Sequence, residues 1–217
     1  MKILFCGYRS WALDVFEKLK NNGSDITLAD CPSAVMEAFE HTKYDLVLVV
    51  GWSWLIPNVI LDSSYVVGMH PSDLPDYAGG SPIQNQILDG VEETNATLFR
   101  LTSTFDAGPI LRKTKINLQG HMSDIFAELT RVTVILLNDL IKSYPNIVEI
   151  PQAGPGKHVR RLKANNSQLP NIVHEKKVMT CKEMWNFIRC REDPYPNVFF
   201  EDDTGKLIIK RVEFEPK

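Results

Sequence analysis

Charge of one sign, paired cysteines and long apolar runs are all scarce in this sequence. Lysine and arginine number 24 against 27 aspartates and glutamates, a formal net charge of −3. That balance does not recommend a nucleic-acid surface, and no nucleic-acid partner is expected. Cys6, Cys31, Cys181 and Cys190 are too few and too scattered for a disulfide framework, and no C-x-x-C spacing offers zinc ligands or a redox pair. Reduced thiols in a cytoplasmic protein are the expectation. No run approaches the roughly 18 apolar residues of a membrane span, so no membrane association is expected. The opening MKILFCGYRSW has too short an apolar stretch for a secretory leader. The turn Gly7-Tyr8-Arg9-Ser10 is not a G-x-G-x-x-G fingerprint, because the next glycine is Gly23, so a nicotinamide cofactor has little support. Internal repeats and low-complexity segments are missing too.

What is present is an alternation of apolar runs and amphipathic stretches. Residues 2–6, 25–29, 45–50 and 65–69 read as strands. Between them, 11–22, 33–42 and 57–61 read as helices; Leu13, Phe16 and Leu19 mark the buried face of the first. Residues 45–50 (DLVLVV) are apolar on both faces, as a parallel strand under two layers of helix must be. The order predicts an α/β fold with a doubly wound, Rossmann-like, mostly parallel sheet. Residues 81–88, with Ser81 as a cap and Pro82 at the first position, read as a further helix. Residues 94–101 and 109–118 alternate like strands, and 123–144 is a long helix. The remainder is loop-rich at 165–170, then offers a small helix over 181–191 capped by Thr180. A β-hairpin of 198–200 and 207–214 closes it. The division expected is 1–150 as the catalytic unit and 151–217 as a C-terminal extension.

Ligands of open α/β sheets collect at the carboxyl ends of the strands. There the sequence places Gly7-Tyr8-Arg9-Ser10, Gly51-Trp52-Ser53-Trp54 and His70-Pro71-Ser72, with the turn around Asp106 expected on the same edge. His70 is a base or acid for neutral pH, and Asp106 is the nearest reasonable carboxylate to orient its ring and stabilise its charged form. Taken singly, His70 reads equally well as a structural strand-end residue. Asp106 alone reads as a turn residue before Ala107-Gly108. Trp52 and Trp54 fit either core packing or a platform for a flat heteroaromatic ligand. The cluster Lys157, His158, Arg160, Arg161 and Lys163 reads as a solvated loop rather than a phosphate contact.

HPSDLPDYAGGSPIQNQILDG, starting at His70, and ETNATLFRLTSTFDAGPIL, which holds Asp106, resemble the formyltransferases that use N10-formyltetrahydrofolate. GWSWLIP resembles the loop lining that family's folate pocket. The stretch from Met184 to Phe199, MWNFIRCREDPYPNVF, is similar to a segment of the nucleotide-sugar N-formyltransferases. The resemblance implies transfer of a formyl group to the amine of a nucleotide-linked amino sugar. A methionyl-tRNA enzyme would be expected to carry a longer basic C-terminal domain; a formyltetrahydrofolate hydrolase and a non-catalytic folate-binding relative are the other readings. It assigns His70 and Asp106 to catalysis, and Trp52, Trp54, Leu55, Ile56, Thr102, Ser103 and Asp106 to the folate. Tyr8, Arg9, Ser10, Ser72, Tyr77, Gly79, Gly80 and Gln84 would then hold the sugar and its diphosphate. The C-terminal helix and hairpin are suited to a homodimer. One position departs from the pattern: Gly68 stands where the family has an asparagine, the donor to the formyl oxyanion. The expected stand-ins are backbone amides, a protonated His70, Ser72 or Asn85.

Overall fold

Side chains of a strand alternate between its two faces, so a strand apolar at every position must be covered on both. In the computed structural model, which describes residues 1–169 and 179–217, β1 (Ile3–Cys6) and β3 (Leu46–Val49) are such strands, flanked by β2 (Ile26–Ala29), exposed at its two middle residues, and by β4 (Tyr65–His70). Helices α1 (Ser10–Asn21), α2 (Pro32–His41) and α3 (Asn58–Ser63) connect them. The strands pair in parallel in the order β2-β1-β3-β4. The loop after β4 holds β5 (Ala78–Gly79) and α4 (Pro82–Leu88). Two antiparallel strands, β6 (Glu93–Arg100) and β7 (Ile110–Asn117), then complete the six-stranded sheet. A long helix, α5 (Met122–Ser143), follows.

Alternation splits the core in two. Ile3, Phe5, Leu46, Leu48 and Val67 pack with Val15 and Leu19 of α1 and Ile125, Leu129 and Val132 of α5. Leu4, Cys6, Val47, Val49 and Val66 pack with Val35 of α2 and Ile60 of α3. Truncating one such side chain, Leu48 for example, to alanine costs about 2–5 kcal/mol. Expected and observed boundaries differ by a residue or two through this part, as helix and strand ends do. Ser81 is different. It makes no cap bond, its backbone is left-handed (φ 53°), and its Oγ accepts instead from the Leu162 amide at 3.1 Å.

After α5 the chain returns across the front of the sheet. β8 (His158–Val159) pairs in parallel with β5, and a 3-10 turn follows at Ala164–Ser167. Pro170, the end of the loop expected at 165–170, lies outside the described residues. Thr180 caps α6 (Cys181–Arg189), its Oγ1 accepting from the Glu183 amide at 3.2 Å. A hairpin of β9 (Val198–Asp202) and β10 (Gly205–Ile209) closes the fold. Its second strand ends earlier than expected because Ile209 pairs with Val198, the first residue of β9, which leaves 210–214 without a partner strand; Phe214 stacks on Trp185, with centroids 5.3 Å apart. Buried Arg189 donates to the carbonyls of Leu118 (2.6 Å) and Gly120 (2.9 Å), and Glu192 accepts from the Met122 amide at 3.0 Å. His121 Nδ1 lies 2.7 Å from the same Glu192. These bonds fasten the extension to the start of α5. Among the described residues no helix is long and apolar enough to cross a membrane.

Candidate active site

Because β1, β3 and β4 run in parallel, their carboxyl ends share one edge, and His70 is the last residue of β4. Its ring is 7% exposed. Nε2 lies 2.9 Å from the Tyr77 carbonyl oxygen. A carbonyl only accepts, so Nε2 carries the proton and Nδ1 of the neutral ring keeps its lone pair. Nδ1 in turn lies 3.7 Å from Asp106 Oδ2. That distance suits an ion pair with a protonated ring and is too long for a hydrogen bond. The ring is therefore oriented by Tyr77 and not, as the sequence suggests, by Asp106, whose remaining role is electrostatic.

Asp106 is itself held. Its Oδ2 accepts from the Gly79 amide at 2.9 Å, and Gln152 Nε2 donates to its carbonyl at 2.8 Å. Tyr77, Ser81 and Asp106 are the non-glycine residues with left-handed backbone among those described (φ 57°, 53° and 48°), and all three sit around His70. Each such residue costs about 1–3 kcal/mol, a strain that persists where surrounding structure fixes a functional geometry.

Two cavities meet at His70. The first, about 230 Å³, is lined by Trp52, Trp54, Leu55, Ile56, Phe99, Leu101 and the turn Thr102–Asp106. The second, about 340 Å³, is lined by Arg9, Trp11, Gly51, Ile83, Gln84 and Phe126, with Arg161, Leu162 and Pro194–Pro196 from the extension. Trp52, Ser53, Met69, His70, Gly79 and Arg161 form the shared wall. All seven residues expected at the folate, Trp52, Trp54, Leu55, Ile56, Thr102, Ser103 and Asp106, line the first cavity.

The residues expected at the sugar divide. Arg9, Gly79 and Gln84 line the second cavity. Tyr8 stands behind the wall: its hydroxyl is 2.8 Å from Ser53 Oγ and its ring centroid 4.7 Å from that of Trp54. Ser10 opens α1, exposed, and lines neither cavity. Ser72 is fully buried and donates its hydroxyl to the Asp76 carbonyl at 2.6 Å, which leaves it no reach toward a substrate. Tyr77 contributes its carbonyl; its ring faces away, 4.7 Å from Lys157 Nζ. Gly79 and Gly80 are glycines for the chain's own sake. A Cβ at Gly79 would lie 2.3 Å from the Val159 carbonyl oxygen, and one at Gly80 would lie 2.6 Å from the Arg161 backbone. The close approach they permit is that of β8, not of a sugar. What composition missed is Arg161 and Leu162, whose nearness depends on that two-residue pairing, and Tyr195, whose ring packs on Phe126 of α5 with centroids 6.1 Å apart.

The space at Gly68 is also decided. A Cβ there would lie 2.2 Å from Leu101 Cδ1 and 2.8 Å from Phe99 Cε1, so hydrocarbon occupies the place of the family's asparagine. Of the expected stand-ins, Ser72 is committed to Asp76. Asn85 Nδ2 is committed to the carbonyls of Gly80, Ser81 and Arg160 at 2.9–3.1 Å. Backbone amides and a protonated His70 are the expected stand-ins that remain, and His70 lies in the wall of both cavities.

A family model described as formyl transferase matches residues 5–130. The chain belongs to the formyl transferase family. The methionyl-tRNA formyltransferase of Rickettsia prowazekii is 24% identical over 254 residues, covering 99% of this chain and 81% of the relative. The same fold occurs in the methionyl-tRNA formyltransferase from Clostridium thermocellum (TM-score 0.87, 24% identity, 99% and 94% of the two chains). It occurs also in a sugar N-formyltransferase from Shewanella sp. FDAARGOS_354 (TM-score 0.78, 14% identity, 100% and 99%). This formyl transferase is thus an enzyme of one-carbon transfer, and its family draws the formyl group from N10-formyltetrahydrofolate. The first cavity of this formyl transferase fits that donor. It offers two indole rings, apolar Ile56 and Leu101, and a polar turn opposite; the buried Trp52 Nε1 has no partner among the described residues.

Proposed function

We propose that this formyl transferase N-formylates the amine of a nucleotide-linked amino sugar, with His70 as proton acceptor between the two bound molecules. The observation that carries the reading is the second cavity. It adjoins the donor cavity, shares His70 and Arg161 with it, and is lined beyond that shared wall by Leu162 and Pro194–Pro196. A pocket of about 340 Å³ lined in part by the C-terminal residues of the chain suits a small acceptor.

N10-formyltetrahydrofolate, held by Trp52, Trp54, Leu55, Ile56 and the Thr102–Asp106 turn, supplies an electrophilic formyl carbon. The chain supplies position and a place for a proton. Fixing the Nε2 proton on the Tyr77 carbonyl leaves Nδ1 to take the proton that the attacking amine must lose and to pass it to the donor's nitrogen, whose bond to the formyl carbon breaks as the new one forms. The imidazolium so formed faces Asp106 Oδ2, 3.7 Å away, which the Gly79 amide keeps in place. That charge pairing sits in a site with little water around it, where it is worth more than in bulk solvent. Juxtaposing amine and carbonyl at one ring lowers the barrier further, by up to about 7–11 kcal/mol in favourable cases.

Methionyl-tRNA is the second reading, favoured by the methionyl-tRNA formyltransferases whose similarity spans nearly the whole chain. The deciding experiment supplies N10-formyltetrahydrofolate with either a panel of amino-sugar nucleotides or methionyl-tRNA, and reads the mass of each acceptor. Gain of one formyl group on a sugar nucleotide supports the proposal; gain on methionyl-tRNA alone overturns it.

A further inference from the structure

Two guanidinium groups converge on one hydroxyl in the wall of the second cavity. Arg9 Nη2 lies 3.4 Å and Arg161 Nη1 3.3 Å from Ser53 Oγ. Neither arginine pairs with a carboxylate among the described residues, whereas Lys157, four residues before Arg161, pairs with Asp89. Arg9 is placed by ring contacts, its guanidinium 5.2 Å from the Tyr8 centroid and 5.9 Å from that of Tyr195. Arg161 is placed by β8, whose pairing with β5 requires glycine at both Gly79 and Gly80. Two like charges brought to one neutral oxygen repel each other, and an anion bound between them would offset that repulsion.

A second observation points to a ligand in the same cavity. Gln84 is 3% exposed, lines that cavity, and its Nε2 has no hydrogen-bond partner. A buried amide without a partner is costly, so such a group marks a position where a ligand oxygen completes it. The first turn of α1, between Arg9 and Trp11, opens on this cavity without a side-chain cap.

We propose that Arg9 and Arg161 clamp the phosphate ester group of the acceptor, with Gln84 Nε2 donating to an acceptor oxygen deeper in the cavity. Guanidinium forks match phosphate oxygens bidentately and hold their charge at any working pH, which an ammonium or a backbone amide alone does not combine. The class of acceptor is then a phosphorylated, and for two such forks a diphosphate-bearing, molecule. This rests on the second cavity being the acceptor's. It makes the C-terminal extension a specificity element, since Arg161 comes from it.

Calorimetry on the full chain with uridine, thymidine and guanosine diphosphates, each against its nucleoside, tests the clamp without needing turnover. At least one diphosphate is expected to bind more tightly than its nucleoside. Arg9→Gln and Arg161→Gln are each expected to weaken it by about 10-fold or more, the scale of a charge-assisted hydrogen bond. Arg160→Gln, at the neighbouring position that lines neither cavity, and tetrahydrofolate binding in the Arg9→Gln variant are expected to stay within about twofold. Diphosphates that bind no better than nucleosides, or equal losses from Arg160→Gln and Arg161→Gln, overturn the proposal. Diphosphate binding through both arginines with no amino-sugar nucleotide formylated leaves the clamp standing and removes the sugar reading. Formylation with unchanged KM in both arginine variants does the reverse.

Discussion

Gly68→Ala is the sharpest steric probe of the site. The added Cβ would start 2.2 Å from Leu101 Cδ1 and 2.8–2.9 Å from Phe99 Cε1 and Cζ, against a comfortable carbon–carbon separation of about 3.5–4.0 Å. Leu101 is half-buried and its Cδ1 is a side-chain tip, so it can turn aside at modest cost. Phe99 is 4% exposed and lies directly opposite Gly68 in the β4–β6 pairing, so it has nowhere to go. Overpacking of this kind costs about 1–3 kcal/mol. For a chain of this size each kcal/mol lowers Tm by about 2–4 °C. Thermal unfolding followed by circular dichroism should therefore show Gly68→Ala melting about 2–12 °C below the parent. Adding Leu101→Ala should restore part of that loss, a coupling that a double-mutant cycle reads directly. Gly68→Asn should be at least as unstable as Gly68→Ala. A Gly68→Ala protein that melts at the parent temperature would show that the space is open. The claim that hydrocarbon has taken the asparagine's place would then be wrong.

Further expectations concern the strap, the thiols and a cap. Gly79 has φ 109°, and a Cβ there would strike the Val159 carbonyl. Gly79→Ala should displace β8 with Arg161, raising the acceptor KM at least about 10-fold, read by steady-state kinetics. Burial pushes the Cys6 thiol up to about 12 and the Cys190 thiol up to about 11. A thiol whose pKa is raised stays protonated below that value and is a poor nucleophile. At pH 8 the native protein should expose Cys31 and Cys181 to a disulfide reagent and withhold the other two until it is unfolded; rapid reaction of all four would refute this. Thr180→Ala removes the cap of α6 and should cost about 1 kcal/mol, visible as faster amide exchange in Cys181–Arg189.

The parallel half of the sheet was legible because its residues obey one rule at a time. Leu46 to Val49 are apolar on both faces, and Gly7, Gly23 and Gly51 punctuate the elements they follow. His70 and Asp106 were legible for a similar reason: each ends or turns an element whose type is plain. The pairing of Ala78–Gly79 with His158–Val159 was not, since two residues joined across so long a separation leave no periodicity. That one contact reassigns several residues at once. It turns Gly79 and Gly80 from room for a substrate into room for the chain. It converts Ser81 from a helix cap into an acceptor for the Leu162 amide. It also sets Arg161, which stays exposed, at the wall of both cavities. Tyr77 misled for a simpler reason, being useful through its carbonyl, which any residue has.

The central claim is that His70 serves both cavities, as the base for transfer rather than as a wall for the folate. Its direct test is His70→Gln assayed two ways: tetrahydrofolate binding by calorimetry, and formyl transfer to the acceptor identified in the panel. The account predicts an affinity within about twofold of the parent and a turnover reduced by about 10²–10⁴. Transfer at the parental rate, or loss of folate binding with turnover intact at saturating donor, would contradict it.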